Sequence, residues 1–584
     1  MRFATIALLF CLALPAAGAR PNVVVFLADD QGWGDLSIHG NADLETPKID
    51  SLAQQGAAFD RFFVCPVCAP TRAEFLTGRF AARTGVRGVT RGEERLNADE
   101  RTIAEFFREA GYATGIFGKW HNGSQPPYHP NSRGFDEFHG FTSGHHAHYF
   151  DPELEHNGRI VKGKGYITDH LTNRAISFIR QHRGAPFFCY IPYCTPHSPM
   201  QVPDVFWKRH ENRNPAGQHE NRSGIDHHRA ALAMVENIDW NVGRVLAALE
   251  ELDLSGNTIV VYFSDNGPNG HRWNGGMRGI KGSVHDGGTR SPLHIRWPEK
   301  IKPGSRVTGN AAAIDLLPTL AGLAGVPIHP AKPVDGRDLS PQLLGGEAAA
   351  DERMLFTLQG NGRNLKWGVR QGPFRYYQDG ELHDVSKDPG QKKDISASQP
   401  DRVALMKAAG EVFLREVKPI IALPDPRPLP VGVESTTHLP ARDGRGEGGV
   451  ERSSIHPNSS FFANWTNNEQ RIVWDIEVAN AGTYEAILYY TCPVGDEGSR
   501  VRLTFGRSHT AATLTEAFDP PPLGAEQDRS PRSESYAKDF KPLPLGTLEL
   551  SAGKGQLVLT AEAVSKNTVA DVRRLILVRQ PAAK

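Results

Sequence analysis

The chain has 584 residues, of which 39% are hydrophobic and 23% are charged, so it can bury large cores and wholesale disorder is excluded. At roughly 150 residues per domain, this length gives about four domains as a prior, and we expect two or three large ones. Lys and Arg number 66, as do Asp and Glu, so the formal net charge is zero. This balance excludes binding to nucleic acid or anionic lipid through a global positive field, and any selectivity for anions must arise locally.

Residues 1–19 have the pattern of a secretory signal peptide. Arg2 provides the positive start, residues 6–14 form a short apolar stretch, and residues 17–19 are small, as at a cleavage site. The apolar stretch is too short to span a bilayer, and no later segment is apolar over a sufficient length. We therefore expect an exported protein, secreted or periplasmic, with no membrane span.

From residue 21 to about residue 326 the pattern alternates between strand and helix. Residues 230–252 carry apolar side chains at steps of three or four, as on one face of a helix. Short apolar runs typical of buried strands occur at residues 23–27, 114–117, 187–191, 258–263 and 293–297. This alternation predicts an α/β fold with a mostly parallel sheet sandwiched by helices, and we assign residues 20–351 to this domain.

The remaining chain predicts two further units. Residues 352–418 combine short strand patterns with one helix, which indicates a small α+β subdomain. Residues 419–430 are rich in proline and are typical of a stiff linker. Residues 431–584 contain short alternating strands and Gly-containing turns, which predict a separate all-β sandwich domain.

Polar side chains follow four of the predicted strands directly or closely. In an open α/β sheet, ligands bind outside the carboxyl ends of the strands, so these side chains should meet at one edge. Along the chain they are Asp29 and Asp30, then Lys119 and His121, then His197, then Asp265 and Asn266.

The acidic members of this set predict a metal site. Asp29, Asp30 and Asp265 would repel one another if buried together, and a divalent cation would remove that cost. With Asn266 they offer only oxygen atoms, which favours a hard cation, Ca²⁺ or Mg²⁺, over zinc. The alternative interpretation is that these residues form Asx turns and helix caps at strand ends.

Five cysteines remain after the signal peptide, so this is not a disulfide scaffold. Cys65 and Cys68 form a Cys-x-x-Cys pattern that could be a redox pair, but no thioredoxin-like context surrounds it. Cys68 also begins a second pattern, Cys-x-Pro-x-Arg, which ends at Arg72 and is followed by Leu-Thr-Gly-Arg.

With this pattern the chain resembles the formylglycine-dependent sulfatases of the alkaline-phosphatase superfamily, over about residues 21–420. Any one of the shared motifs is weak alone, but their order and spacing are highly specific. The motifs are NVVVFLADDQGWGD at residues 22–35, TPKID at 46–50, CAPTRAEFLTGR at 68–79, GKWH at 118–121, RGFDEFHG at 133–140, PHSP at 196–199, SDNGP at 264–268 and GSVHDGGT at 282–289.

The resemblance implies a role for ten residues. Cys68 matches the cysteine that a maturation enzyme oxidises to Cα-formylglycine, and it would also contact the metal. Asp29, Asp30, Asp265 and Asn266 match the ligands of a calcium ion, with Mg²⁺ the less favoured choice. The cationic and polar residues around the sulfate match Arg72, Lys119, His121, His197 and Lys281.

The expected function is therefore hydrolysis of sulfate esters, on a sulfated carbohydrate. Export and the C-terminal β-sandwich favour the carbohydrate. Two alternatives stay open: a formylglycine-dependent phosphodiester or phosphonate monoester hydrolase, and an inactive secreted glycan-binding protein. The sequence does not define the sugar, the position of its sulfate or the oligomeric state.

Overall fold

The computed structural model describes residues 20–217, 222–347, 353–360, 362–422, 425 and 427–581. The predicted signal peptide, residues 1–19, lies outside the described residues. Among the helices of this described part, none is long and apolar enough to cross a membrane.

An eleven-stranded mixed sheet forms the centre of the first domain. Its strands are β1 Asn22–Ala28, β2 Ala57–Phe63, β3 Ala113–Lys119, β4 Glu137–Phe141, β5 Glu153–His156, β6 Arg159–Lys162, β7 Phe187–Pro192, β8 Thr258–Ser264, β9 Arg290–Ser291, β10 Leu293–Arg296 and β11 Ser305–Ala312. Their order is β11-β2-β10-β8-β1-β7-β3-β4-β5-β6, and β9 pairs with β2. The five central strands from β8 to β4 are parallel, as predicted, whereas β5, β6 and β10 pair with their neighbours in antiparallel fashion.

Helices cover both faces of this sheet, and strand β1 shows why. The helices are α1 Pro47–Gln54, α2 Cys68–Thr77, α3 Ile103–Glu109, α4 Ile167–Gln181, α5 Asp204–His210, α6 Arg222–Glu251, α7 Asp286–Thr289, α8 Leu316–Ala324 and α9 Ser340–Leu343. Val23, Val25 and Leu27 enter one core with α2, α3 and α8, while the alternate residues enter a second core with α1, α4 and α6. A strand buried on both faces reads as a continuous apolar run, which is the pattern seen in the sequence.

A small four-stranded antiparallel sheet follows, ordered β12-β13-β14-β15. Its strands are β12 Met354–Gln359, β13 Lys366–Gln371, β14 Phe374–Tyr377 and β15 Leu382–Asp384, and helix α10 spans Pro400–Val417. The rings of Phe356 on β12 and Phe413 on α10 stack with centroids 4.4 Å apart, which fixes the helix against the sheet.

Two six-stranded sheets form the C-terminal β-sandwich around one shared core. Trp474 and Tyr490 are buried in that core, which favours a packing role for these aromatic residues over a carbohydrate platform. The strands are β16 Leu429–Val431, β17 Thr436–Pro440, β18 Arg445–Glu447, β19 Glu451–Arg452, β20 Phe462–Ala463, β21 Arg471–Val478, β22 Gly482–Thr491, β23 Arg500–Phe505, β24 Ser508–Thr513, β25 Lys541–Leu550, β26 Gly553–Ala563 and β27 Asp571–Arg579.

The linker prediction for residues 419–430 needs correction at its C-terminal end. Strand β16 begins at Leu429 and pairs in parallel with β21, so these residues belong to the sandwich. Arg427 also donates to the Arg95 carbonyl oxygen (3.0 Å) and to Asn97 Oδ1 (2.9 Å). The described part of the segment is therefore attached to the first domain, because its arginine satisfies carbonyl groups there, which proline content alone does not reveal.

Candidate active site

The ends of β1 and β8 bring the predicted acidic residues together. The two strands are parallel neighbours with Ala28 opposite Ser264, so the residues that follow them lie side by side. The Asp265 N–H donates to the Ala28 carbonyl oxygen (3.1 Å), and the Asp30 N–H donates to Asp265 Oδ1 (3.2 Å). Asp29, Asp30, Asp265 and Asn266 are all fully buried.

Each of the three buried carboxylates has a cationic partner from a different part of the fold. Lys119 Nζ at the end of β3 lies 2.6 Å from Asp29 Oδ2. Arg72 Nη2 on α2 lies 2.9 Å from Asp265 Oδ2. Lys281 Nζ lies 2.7 Å from Asp30 Oδ1, and Asn266 Nδ2 donates to the same oxygen (2.9 Å). These predicted residues therefore form one charged cluster.

The carboxylates of this cluster differ in their protonation. Burial alone would raise the pKa of Asp30, but Lys281, His197 and the Asn266 amide together lower it below its ordinary value. Burial and the neighbouring Asp29 carboxylate raise the pKa of Asp265 to about 7. Asp265 is thus held in a site where additional positive charge would favour its ionised form.

The donor atoms of the cluster fit a hard divalent cation. Asp29 Oδ1 and Asn266 Oδ1 are buried and have no hydrogen-bond partner among the described residues. A carboxylate oxygen of Asp29, a carboxylate oxygen of Asp265 and Cys68 Sγ lie within 4.8 Å of one another. A buried acceptor without a partner costs about 1–3 kcal/mol, and a Ca²⁺ or Mg²⁺ ion bound by these oxygens would remove that cost.

Cys68 is the first residue of α2 and is buried beside the acidic cluster. Burial raises the pKa of its thiol, although Lys119 and Lys281 oppose this effect. The thiol is therefore protonated at neutral pH, which makes it a weak nucleophile. Thr71 on the same helix donates its hydroxyl hydrogen to the Asp265 carbonyl oxygen (2.6 Å), which holds the start of α2 beside the acidic cluster.

The buried carboxyl of Glu74, on the same helix, should make the free energy of unfolding depend on pH. Burial raises the pKa of this carboxyl from 4.5 to about 8, and Oε1 accepts from the Ala81 N–H. Between pH 4.5 and about pH 8 the folded chain holds a proton that the unfolded chain releases, so stability falls as pH rises through this window. Glu74→Gln should remove that loss and stabilise the chain by on the order of 3 kcal/mol at pH 8.

Thermal melts of parent and Glu74→Gln across this pH window check the expectation. Glu411→Gln, at an exposed position of α10, is the matched control and should melt like the parent. If the melting temperatures of the parent and of Glu74→Gln change in parallel with pH, the pKa of Glu74 is not raised in the folded chain.

Two histidines of the site have defined ring orientations. His121 Nε2–H donates to the Val89 carbonyl oxygen (2.8 Å), which leaves Nδ1 as a buried lone pair without a partner among the described residues. His197 Nδ1–H donates to the Ser198 carbonyl oxygen (2.7 Å), and its Nε2 lies 3.7 Å from Asp30 Oδ2. Burial lowers the pKa of both imidazoles, and Lys119 for His121 and Lys281 for His197 add to the effect.

Two residues near the site are held by structural contacts. Arg272 is buried and pairs with Asp35 (2.8 Å) while donating to the Asp30 carbonyl oxygen. Cys65 lies in a separate apolar cluster behind α2, and it forms no disulfide with Cys68.

Sequence reasoning missed the residues that the C-terminal β-sandwich brings to this site. Ser198, next to His197, donates its hydroxyl hydrogen to Glu534. Ser459 Oγ donates to the carbonyl oxygen of His145 (3.1 Å), whose ring stacks on His197 with centroids 5.9 Å apart. No local motif marks Ser459 or Glu534, since both are more than 250 residues from their partners.

Comparison with known proteins places this site in a family. The family model described as Sulfatase matches residues 21–326. The chain is 33% identical to N-acetylgalactosamine-6-sulfatase of Canis lupus familiaris over 387 residues, covering 60% of this chain and 70% of the relative. It is also 33% identical to human arylsulfatase A, covering 70% of this chain and 85% of the relative.

A solved structure extends the likeness to three dimensions. The crystal structure of Ps i-CgsB in complex with k-i-k-neocarrahexaose has a TM-score of 0.62 and 30% identity, covering 68% of this chain and 92% of that one. The family model covers more than half of this sequence and includes every residue of the charged cluster described above. The chain therefore belongs to the sulfatase family and is a sulfuric ester hydrolase.

Proposed function

We propose that this sulfatase is an exported enzyme that removes sulfate from carbohydrates, using a Cα-formylglycine formed from Cys68 and a bound Ca²⁺ ion. The observation that carries the proposal is the position of Cys68: its side chain lies within 4.8 Å of carboxylate oxygens of Asp29 and Asp265. A protonated thiol suits neither nucleophilic attack nor a site whose other ligands are oxygens. An oxygen-bearing side chain at position 68 suits both.

Addition of water to the proposed aldehyde would supply two hydroxyl groups on one carbon. One would attack sulfur and displace the alcohol, and loss of the proton of the other would then expel sulfate and regenerate the aldehyde. The cation would lower the pKa of the attacking hydroxyl and neutralise charge on the sulfuryl oxygens. Asp29, Asp30, Asp265 and Asn266 would hold it, since all four side chains surround the same buried space.

Five cationic or neutral side chains have proposed roles around that centre. Arg72 and Lys119 hold residue 68 and neutralise the adjacent carboxylates. His121 accepts the proton of the second hydroxyl, because its Nδ1 carries a free lone pair. His197 Nε2, with Lys281, binds the sulfate and donates the proton that the leaving oxygen needs.

The acid role of His197 depends on the substrate charge. In the free site, burial and Lys281 lower the pKa of His197, so the imidazole is neutral. A bound sulfate ester brings a negative charge next to Nε2 and favours the imidazolium form. The proton would thus be acquired together with the substrate, at the atom that faces the leaving group.

Three observations support a sulfated carbohydrate as the substrate class. The relative N-acetylgalactosamine-6-sulfatase acts by its name on a sulfated sugar, and Ps i-CgsB was solved with a bound neocarrahexaose. Residues 1–19 carry the sequence pattern of a secretory signal, which would deliver the enzyme to extracellular glycans.

Replacing His197 by Ala should slow turnover of alkyl sulfates by about 10²–10⁴-fold, the usual contribution of general acid catalysis. The loss should be smaller for 4-nitrophenyl sulfate, because its phenolate leaves without protonation. Steady-state kinetics on both substrates measure the difference. His509→Ala, on an exposed residue of β24, is the control. Equal losses on both ester types would contradict the acid role of His197.

The proposal as a whole is tested on protein coexpressed with a formylglycine-generating enzyme. Peptide mass spectrometry should find the aldehyde at residue 68, and the converted protein should hydrolyse 4-nitrophenyl sulfate. Parallel assays with an aryl phosphodiester and an aryl phosphonate monoester measure the competing reaction. Higher kcat/KM on either phosphorus ester, or unconverted Cys68 with full activity, would contradict the proposal.

A further inference from the structure

The C-terminal β-sandwich packs against the first domain beside the active site. Gln201, four residues after His197, donates to the Gly524 carbonyl oxygen (2.8 Å), and the Arg529 N–H donates to the Met200 carbonyl oxygen (2.9 Å). Together with the Ser459 and Glu534 contacts, these bonds place two segments of the sandwich around the entrance to the site.

A cavity of about 110 Å³ lies where the two parts of the chain meet. This space is several times larger than a single water needs, so it can hold a charged group of a ligand. Its walls carry five cationic residues, namely Lys162, Arg442, Lys538, Arg573 and Arg574.

Four of these five cations are neutralised by carboxylates. The pairs are Lys162 with Asp539 (3.2 Å), Arg442 with Glu94 (3.2 Å), Lys538 with Asp571 (2.7 Å) and Arg574 with Glu153. The other two acidic residues of the walls are also engaged: Glu155 bonds with His129 (2.7 Å), and Asp151 accepts from the Gly165 N–H (2.7 Å).

Arg573 differs from the other four. It donates to the Ser460 carbonyl oxygen (2.6 Å), and no carboxylate of the described residues lies within ion-pair distance of it. Burial and the charges of Arg574 and Arg442 together lower the pKa of Arg573 to about 10, while Glu153 acts in the opposite direction from beyond that distance. Arg573 is partly buried, and a guanidinium withdrawn from water without a carboxylate partner is stabilised when an anion binds it.

The cavity adjoins the active site through Gly144. A Cβ atom at this position would lie 2.4 Å from Asn458 Nδ2, on the cavity wall, and 2.6 Å from His121 Nε2. Only a glycine therefore separates the cavity wall from a histidine of the site. On the sandwich side, Ser459 contacts His145, and Ser460, the next residue, contacts Arg573.

We propose that this cavity is a subsite for a second anionic group, a sulfate or a carboxylate, of the carbohydrate whose sulfate ester is cleaved, with Arg573 as its cation. The inference rests on the proposed carbohydrate substrate. A guanidinium binds either oxyanion through two parallel N–H donors, which is the geometry that Arg573 still has available. The sandwich would thus select polyanionic glycans over singly charged ones.

The anion site itself is tested without turnover. Crystals of the Cys68→Ala chain soaked in sodium selenate should show two selenium peaks, one beside residue 68 and one at Arg573. In Cys68→Ala/Arg573→Gln the second peak should disappear and the first should remain. If the Cys68→Ala crystals show no peak beside residue 68, the result counts against the proposed function. If they show no peak at Arg573, the subsite is wrong.

The link to the substrate is tested on the converted enzyme with three probes. These are N-acetylgalactosamine 6-sulfate linked to a neutral hexose, to a uronate and to a sulfated hexose. We expect kcat/KM for at least one doubly charged probe to exceed that for the neutral one by about 10-fold or more, as a charge-assisted hydrogen bond supplies. The preferred probe distinguishes a carboxylate from a sulfate.

Arg573→Gln should abolish this preference, and Arg573→Lys should keep part of it, because it retains the charge. Arg502→Gln, on strand β23, removes the same charge at an ion pair near the surface and should keep the full preference. Melting temperatures of all variants identify misfolding. The subsite is wrong if the parent shows no preference, or if Arg573→Gln slows all three probes by the same factor while remaining folded.

Discussion

Replacing Cys68 by Ala is expected to lower sulfatase turnover by about 10⁴-fold or more, because it removes the proposed nucleophile and with it the covalent step. Cys68→Ser should be equally inactive in repeated turnover. A serine offers one hydroxyl, so it could accept a sulfuryl group but could not expel it through a second hydroxyl on the same carbon. Intact-protein mass spectrometry should then detect one sulfate bound per Cys68→Ser chain after incubation with 4-nitrophenyl sulfate.

Cys65→Ala is the matched control for this experiment. Cys65 is also buried and lies three residues upstream, but its thiol faces the apolar cluster behind α2. It should reduce stability slightly and leave turnover within a few-fold of the parent. The two cysteines are thus separated by function although they share one motif. Substantial activity in Cys68→Ala would contradict the proposed nucleophile, whatever the identity of the sugar.

The parallel centre of the sheet was predictable because its strands are buried on both faces. Residues 23–27 and 258–263 are continuous apolar runs, and the structure places them side by side in β1 and β8. The geometry of the acidic cluster follows from that pairing, since Asp29 and Asp265 each come directly after a strand end. Local pattern and tertiary placement therefore agree at this edge.

The edges of the sheet were not predictable in the same way. Strands β5 and β6 form a hairpin of four residues each, which carries little hydrophobic pattern, and β10 runs antiparallel to β8. Contacts with the sandwich were also hidden from the sequence, because Ser459 and Arg573 act through contacts across the domain interface rather than through any local spacing. Local sequence motifs therefore predict the residues of the charged cluster, whereas the residues that surround the cluster are identified only from the three-dimensional structure.

Removal of the proposed cation should have the second large effect on activity and stability. Asp29 Oδ1 and Asn266 Oδ1 would then be left buried without any partner among the described residues. We expect one Ca²⁺ per converted chain by elemental analysis. EDTA should lower turnover by at least about 10³-fold, because the proposed cation would activate the nucleophile and neutralise charge on the sulfuryl oxygens. It should also lower the melting temperature, because an ion present at 100 times its Kd stabilises the folded state by about 2.7 kcal/mol.

Asp29→Asn separates loss of the ion from other effects of the chelator. It preserves the shape of the side chain but removes the charge that both the cation and Lys119 need. The variant should contain little calcium, and EDTA should no longer change its melting temperature. Asp60→Asn, at a partly exposed ion pair with Arg306, should behave like the parent. If the parent melts at the same temperature with and without EDTA, the buried oxygens are not metal ligands and the proposed role of the acidic cluster fails with them.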